Sequence, residues 1–282
     1  MGESGKGAGR AVLITGCSTG IGRTVAQGLR DRGYRVLATA RKRSDVASLI
    51  GEGFEAARLD LSDEASIQEG VAWALEACDG ALYGLFNNGA YGQPGALEDL
   101  PVAALRAQFE SNVFGTYEVT RLVLPAMRER GAGRIIQNSS VLGFIAMKYR
   151  GAYVASKYAL EGLSDALRLE LDGSGIQVVL IEPGPIRSMF RKNALAAFQR
   201  HVDAESSRYH KEGYAKQLAR RMEEGQETAF TLPPEAVLKR VIWGLEKRRP
   251  KVRYPVCAPT YVFAWFKRVL PQRWLDFMLK RF

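Results

Sequence analysis

The chain has 282 residues, 46% of them hydrophobic and 25% charged, proportions that suit one large globular α/β domain with a sizeable core. His201 and His210 are its only histidines, and Cys17, Cys78 and Cys257 stand far apart. Those counts argue against a zinc site, a Ser-His-Asp triad and a disulfide framework. The net charge of +10 is uneven: twelve Lys/Arg and only two acids lie between Lys239 and Phe282, so the rest of the chain is balanced.

Met1 to Arg10 is Gly-rich, lacks the apolar core of a signal peptide and reads as a flexible lead-in. A short apolar run, Ala11 to Thr15, then enters a Gly-rich turn and a helical pattern through Val25 and Leu29, as a buried parallel strand feeding a helix does. The alternation continues with strands predicted at Arg35–Thr39, Phe54–Asp60, Leu82–Asn87, Arg134–Asn138 and Ile176–Ile181. Helices are predicted over Glu64–Glu76, over Ala103–Arg130 with an interruption at Pro125, and over Gly151–Leu171. Six strands alternating with helices predict a doubly wound parallel α/β sheet in one domain, 11–256, with ligands bound beyond the carboxyl ends of the strands.

The polar motifs fall at those ends. Thr15-Gly16-Cys17-Ser18-Thr19-Gly20-Ile21-Gly22 can turn tightly and let backbone N–H groups meet a pyrophosphate, although a tight turn without a ligand would read the same way. Arg41 ends the second strand with Lys42 and Arg43, and no acid stands between Arg35 and Ser44. A cation there suits the 2′-phosphate of NADP, where an acid would suit NAD; a solvated basic loop is the alternative. Tyr153 and Lys157, four apart on a helix, share a face, and a neighbouring cation would lower the phenol's pKa toward general acid/base use. Ser139 and Ser140 close the preceding strand.

Thr15 to Gly22, Asn87-Asn88-Gly89-Ala90, Asn112, Ser140, Tyr153, Lys157 and Pro183-Gly184 together resemble the short-chain dehydrogenase/reductase family over about residues 10 to 190. The resemblance implies a Rossmann-type fold and a set of roles. Tyr153 would exchange the proton, Lys157 lower its pKa and hold the nicotinamide ribose, Ser140 bind the substrate oxygen, and Asn112 hold a relay water. Gly16, Ser18, Thr19, Gly20, Ile21 and Gly22 would bind the dinucleotide, with Asp60 and Leu61 at the adenine and Asn88 beside its ribose. Pro183, Gly184, Ile186 and Ser188 would lie along the nicotinamide. The family's usual Asn-Asn-Ala-Gly is here Asn-Asn-Gly-Ala, a swap expected to be tolerated. Thr19 stands where many NADP-preferring relatives carry a cation, so the preference for NADP(H) over NAD(H) rests on Arg41.

Arg191 to Thr231 is polar and helical in parts (Ala194 to Arg200, Tyr214 to Glu224), a pattern for a substrate lid over about 189–231; its two histidines read as surface residues. The tail, 257–282, is basic and aromatic and is split by Pro271. On a helix Trp274, Phe277/Met278 and Phe282 would form one apolar face, suited to packing on the domain or lying in a membrane interface. No apolar run reaches eighteen residues, and no nucleic-acid motif is present. These features predict a cytoplasmic protein, with the inner face of a membrane as the alternative. The motif set and the tail, including Arg253-Tyr254-Pro255-Val256, look similar to a bacterial subgroup of NADP-dependent aldehyde reductases, themselves similar to retinol and 17β-hydroxysteroid dehydrogenases. That resemblance implies reduction of a hydrophobic aldehyde or ketone, or the reverse oxidation, by a homodimer or homotetramer. The alternative is a catalytically silent NADP(H)-binding sensor or scaffold attached to a membrane surface.

Overall fold

Seven parallel strands form one sheet in the order β3-β2-β1-β4-β5-β6-β7. They are β1 (Ala11–Ile14), β2 (Arg35–Ala40), β3 (Glu55–Arg58), β4 (Leu82–Asn87), β5 (Gly133–Asn138), β6 (Ile176–Glu182) and β7 (Arg253–Pro255). The computed structural model describes Gly7, residues 9–214 and residues 230–280. Most of the N-terminal lead-in, the expected helix beyond Tyr214, and Phe282 of the expected tail face lie outside the described residues.

Alternation along each strand divides the core into two layers. Val12 and Ile14 of β1, Ile136 of β5 and Val179 and Ile181 of β6 face one side. There they meet α1 (Gly20–Asp31), α2 (Arg43–Gly51) and α8 (Glu235–Glu246), which follows α7 (Phe190–His201) in the chain, through Val25, Leu29, Leu49, Val237, Val241 and Leu245. Ala11, Leu13, Ile135 and Val178 face the other side, against α3 (Glu64–Ala77) and α5 (Thr116–Glu129) through Ile67, Val71, Val119, Val123 and Met127. Helix α6 (Gly151–Glu170) joins this second layer through Leu167. The architecture is thus a single α/β Rossmann-type domain. Strand order reverses between β1 and β4, and in such sheets the crevice at the reversal is the ligand site.

Three elements depart from the expected pattern. Pro125 does not interrupt the long helix: it lies inside α5 on the exposed side, where water can solvate the carbonyl that loses its partner. The break comes earlier, between α4 (Val102–Phe109) and α5, as a π-type segment at Glu110–Gly115. Gly115 is pressed so closely on the end of β3 that a Cβ there would stand 2.0 Å from the Leu61 carbonyl oxygen. The third departure is a seventh strand, β7, three residues long and ending on a proline, which is tolerated because the strand lies at the sheet edge. Beyond it, α9 (Ala258–Val269) and α10 (Gln272–Leu279) make a helical pair with Leu270 and Pro271 between them.

Candidate active site

The Gly-rich turn joins β1 to α1 in the way its composition requires. Gly16 and Gly20 adopt φ of +72° and +57°, which only glycine adopts without strain. A Cβ on Gly22 would stand 2.1 Å from the Gly16 carbonyl oxygen, and one on Gly16 would stand 2.9 Å from the Gly89 Cα. Asn-Asn-Gly-Ala has its own reason: a Cβ on Gly89 would stand 2.8 Å from the Leu61 side chain and 3.4 Å from the Thr15 hydroxyl oxygen. Ser18 and Thr19 are exposed, Ile21 is half-buried, and no side chain caps the start of α1. Its first-turn N–H groups and the positive end of its dipole are therefore open to an anion. This glycine-walled cradle fits a dinucleotide pyrophosphate.

Arg41 follows β2 at the same edge, exposed and flanked by exposed Lys42 and Arg43. Its backbone carbonyl accepts from the Arg58 guanidinium (3.3 Å), so the loops after β2 and β3 are joined. An exposed triplet of cations fits a further phosphate beyond the pyrophosphate. In the loop after β3, the Asp60 carboxylate accepts from the Ser62 backbone N–H (3.1 Å) and hydroxyl (2.7 Å). Leu61 is buried, and its side chain is what a Cβ on Gly89 would strike at 2.8 Å.

A continuous polar chain runs from this turn into the body of the site. The Asn88 amide donates to the carbonyls of Thr15 (3.0 Å) and Gly16 (3.1 Å), and its oxygen accepts from the Asn138 amide (3.0 Å). The Lys157 ammonium donates to the Asn138 backbone carbonyl (2.7 Å). Asn112, in the π-type segment, donates to the Tyr91 carbonyl (2.9 Å) and the Ser156 hydroxyl (3.2 Å) and accepts from the Tyr91 N–H (3.2 Å). Its side chain is thereby a brace between the loop after β4 and α6. Ser156 in turn donates to the Tyr153 carbonyl (2.8 Å). Asn112, Ser140, Tyr153 and Lys157 are all buried.

Burial governs the proton affinities. It pushes the Tyr153 phenol up to about 12, against the pull of the Ser140 hydroxyl. The Lys157 ammonium points to Asn138 and stands 5.7 Å from the centre of the Tyr153 ring, and both groups are desolvated. Burial pushes Lys157 itself down to about 8, and Glu161, one helical turn on, opposes that fall. Glu161 belongs to a group of charges that sequence reading missed. Arg253 of β7 holds Glu161 (3.1 Å), Asp165 (2.7 Å) and Glu182 (3.3 Å), and burial raises Glu182 to about 7. The (i, i+4) spacing of Lys157 and Glu161 was the one sequence signal for it.

The segment after β6 folds back over the turn, so that a Cβ on Gly20 would stand 3.0 Å from the Ser188 Cβ. Pro183 is buried and Gly184 half-buried; a Cβ on Gly184 would stand 2.9 Å from the Thr260 hydroxyl oxygen. Ile186 bridges Leu232 beyond the undescribed segment. Around Tyr153 the wall is apolar: Leu142, Ile145, Leu275 and Leu279 are buried with it, and the Phe190 ring meets it edge-on at 5.3 Å. Two of these residues come from α10, so the tail closes the site. Its packed face is Leu275 and Leu279, while Trp274 and Phe277 of the expected apolar face are 66% and 56% exposed. His201 and His210 are half-buried, and His210 Nδ1 lies 2.8 Å from the Ala204 carbonyl oxygen. No cluster of metal-binding side chains occurs among the described residues.

Comparison with known proteins agrees with this fold. The profile for short chain dehydrogenase matches residues 10–198. The chain is 42% identical over 277 residues to the uncharacterized oxidoreductase YbbO of Escherichia coli K12, covering 98% of this chain and 96% of that one. The NADPH-dependent 3-dehydrocapnine reductase of Ornithobacterium rhinotracheale is 30% identical over 275 residues, 95% of each chain. Among solved structures, a short-chain dehydrogenase from Streptomyces avermitilis superposes with a TM-score of 0.77 at 28% identity, covering 96% of this chain and 97% of the other.

Proposed function

The chain belongs to the short-chain dehydrogenase/reductase family and is an oxidoreductase of that type; from that premise we propose that it uses NADP(H) to reduce a hydrophobic aldehyde or ketone, with Tyr153 as the acid/base. The observation that carries the reading is a phenol, a hydroxyl and an ammonium buried at one sheet edge and tied through Asn138 and Asn88 to a glycine-walled phosphate cradle. When bound, the nicotinamide supplies the hydride that adds to the carbonyl carbon. Ser140 and Tyr153 donate hydrogen bonds to the carbonyl oxygen, and Tyr153 gives it a proton as the alcohol forms. Lys157, held by Asn138, presents its charge to the ribose hydroxyls and to the phenol. Asn112 fixes the π-type segment against α6, which keeps Tyr153 in register with the turn.

Arg41 supports the choice of NADP(H), as does the name of the Ornithobacterium relative. Asp60 and Leu61 would border the adenine, and Ser18, Thr19 and Ile21 the phosphates. Pro183, Gly184, Ile186 and Ser188 would border the nicotinamide. The wall of Leu142, Ile145, Phe190, Leu275 and Leu279 supports an apolar substrate. Residues 189–214 of the expected lid would border it, the rest of that lid lying outside the described residues, and assembly as a homodimer or homotetramer in the cytoplasm belongs to the same reading. No helix among the described residues is long and apolar enough to cross a membrane.

The test is NADPH oxidation with a panel of aliphatic, aromatic and isoprenoid aldehydes and steroid ketones, with NADH as the control. Turnover rising with substrate hydrophobicity, and faster with NADPH, is expected. Tight NADPH binding without turnover on any member would favour a silent sensor instead.

A further inference from the structure

The tail pair has two unlike faces. Leu275 and Leu279, with half-buried Phe263 and Phe266, pack toward Leu142, Ile145 and Tyr153. On the opposite side of α9, Tyr261, Val262, Trp265 and Val269 follow i, i+1, i+4 and i+8 spacing and form one stripe, 47% to 60% exposed. Trp274 on α10 is 66% exposed. Exposure of this much aromatic and aliphatic surface is unusual for a helix pair already packed by its other face.

The charges beside it are of one sign. Lys267, Arg268, Arg273 and Lys280 are all exposed, against the single acid Asp276, whose carboxylate accepts from the Gln272 amide (2.7 Å). We propose that this face docks on an anionic lipid bilayer, with the indoles of Trp265 and Trp274 at the headgroup level and the cations on lipid phosphates. Tryptophan suits that depth because its ring is apolar and its N–H still needs a partner. The helices are 12 and 8 residues long and separated by a proline, so they would lie in the interface without crossing it. The same excess of cations opposes pairing of two copies through this face, which favours lipid over self-association.

Docked in this way, the protein would turn the tail side of the Tyr153 wall toward the bilayer, and a carbonyl dissolved in lipid would meet the site through α10. The docking stands independently of the reaction proposed above, and its test reads binding without turnover. Full-length protein is floated through a density gradient with phosphatidylcholine vesicles, with or without phosphatidylglycerol. Flotation is expected with the anionic vesicles, and partitioning is expected to be about tenfold weaker without them. Trp265→Ala/Trp274→Ala should weaken partitioning by about tenfold or more. Thermal midpoint and NADPH affinity should not move, since both side chains are exposed. Lys267→Glu/Arg273→Glu is the second variant, expected to abolish the lipid-charge dependence. The proposal is overturned if wild-type protein does not float with anionic vesicles, or if both variants float as it does. It is also overturned if sedimentation shows a dimer that the tryptophan variant dissolves, since the face would then bind a second copy.

Discussion

Tyr153 is held protonated to about pH 12 by burial, while Lys157 loses its proton near 8, so the pH dependence of reduction should follow the lysine. Turnover is expected to hold below about pH 8 and to fall as pH rises through that value, because the neutral amine no longer presents a charge. Glu161→Gln removes the anion that supports the ammonium and should move this alkaline limb to lower pH. A limb that stays in place would separate Glu161 from the site. Arg41→Ala should reduce the preference for NADPH over NADH by about tenfold or more, the worth of a charge-assisted hydrogen bond of ~1.5–3 kcal/mol, measured as the ratio of kcat/KM values. At this scale much was legible in sequence, because glycine geometry and the Tyr153/Lys157 spacing are local. The reason for Gly89 was not: it depends on the Leu61 side chain, twenty-eight residues away in the loop after β3. Nor was the direction of the Tyr153 shift, since burial is a property of the folded chain.

Among the elements, β1 to β6 were readable as apolar runs between turn signals, and β7 was not. Arg253, Tyr254 and Pro255 carry no run of their own; their place is set by β6, whose Leu180, Ile181 and Glu182 pair with them. The same pairing assembles the buried charges, and these make the stability of the β6/β7 edge depend on pH. Glu182 has its ordinary carboxyl value raised to about 7 in the folded chain. Between about pH 4.5 and 7 the folded state holds a proton that the unfolded state has released. The resulting stability is complete below 4.5 and is lost as pH rises through 7, by at most about 3 kcal/mol. Glu182→Gln should therefore flatten the decline in denaturant midpoint between pH 5 and 7 (both about, on the same linkage argument). An unchanged slope would assign the decline to other groups. The π-type segment was equally unreadable, since a sequence that supports one long helix gives no warning that Gly115 must approach Leu61.

For the whole molecule, the cationic end of the sequence is not one surface. Lys239, Arg240 and Lys247 gather around the Trp243 ring at 5.4, 4.4 and 4.8 Å on α8. Residues 247–252 precede β7, at the sheet end opposite the site. The cations of α9 and α10 lie at the other end, where the tail joins the wall around Tyr153. Composition located the charge in the chain but could not divide it in space. Leu275→Ala/Leu279→Ala should release α10, raising amide exchange across residues 272–279 and the KM for hydrophobic aldehydes while leaving the NADPH Kd unchanged. A variant whose KM does not move would remove the tail from the substrate wall.

The most direct measurement is transfer of label from NADPH carrying deuterium at both C4 positions of the dihydronicotinamide to an aldehyde, read by mass spectrometry of the alcohol, in wild-type protein and in Tyr153→Phe. One deuterium is expected in the wild-type product. The rate is expected to be lowered by about 10²- to 10⁴-fold in the variant, which still binds NADPH. Unlabelled product, or a Tyr153→Phe variant that transfers label as fast as wild type, would contradict the proposed reaction.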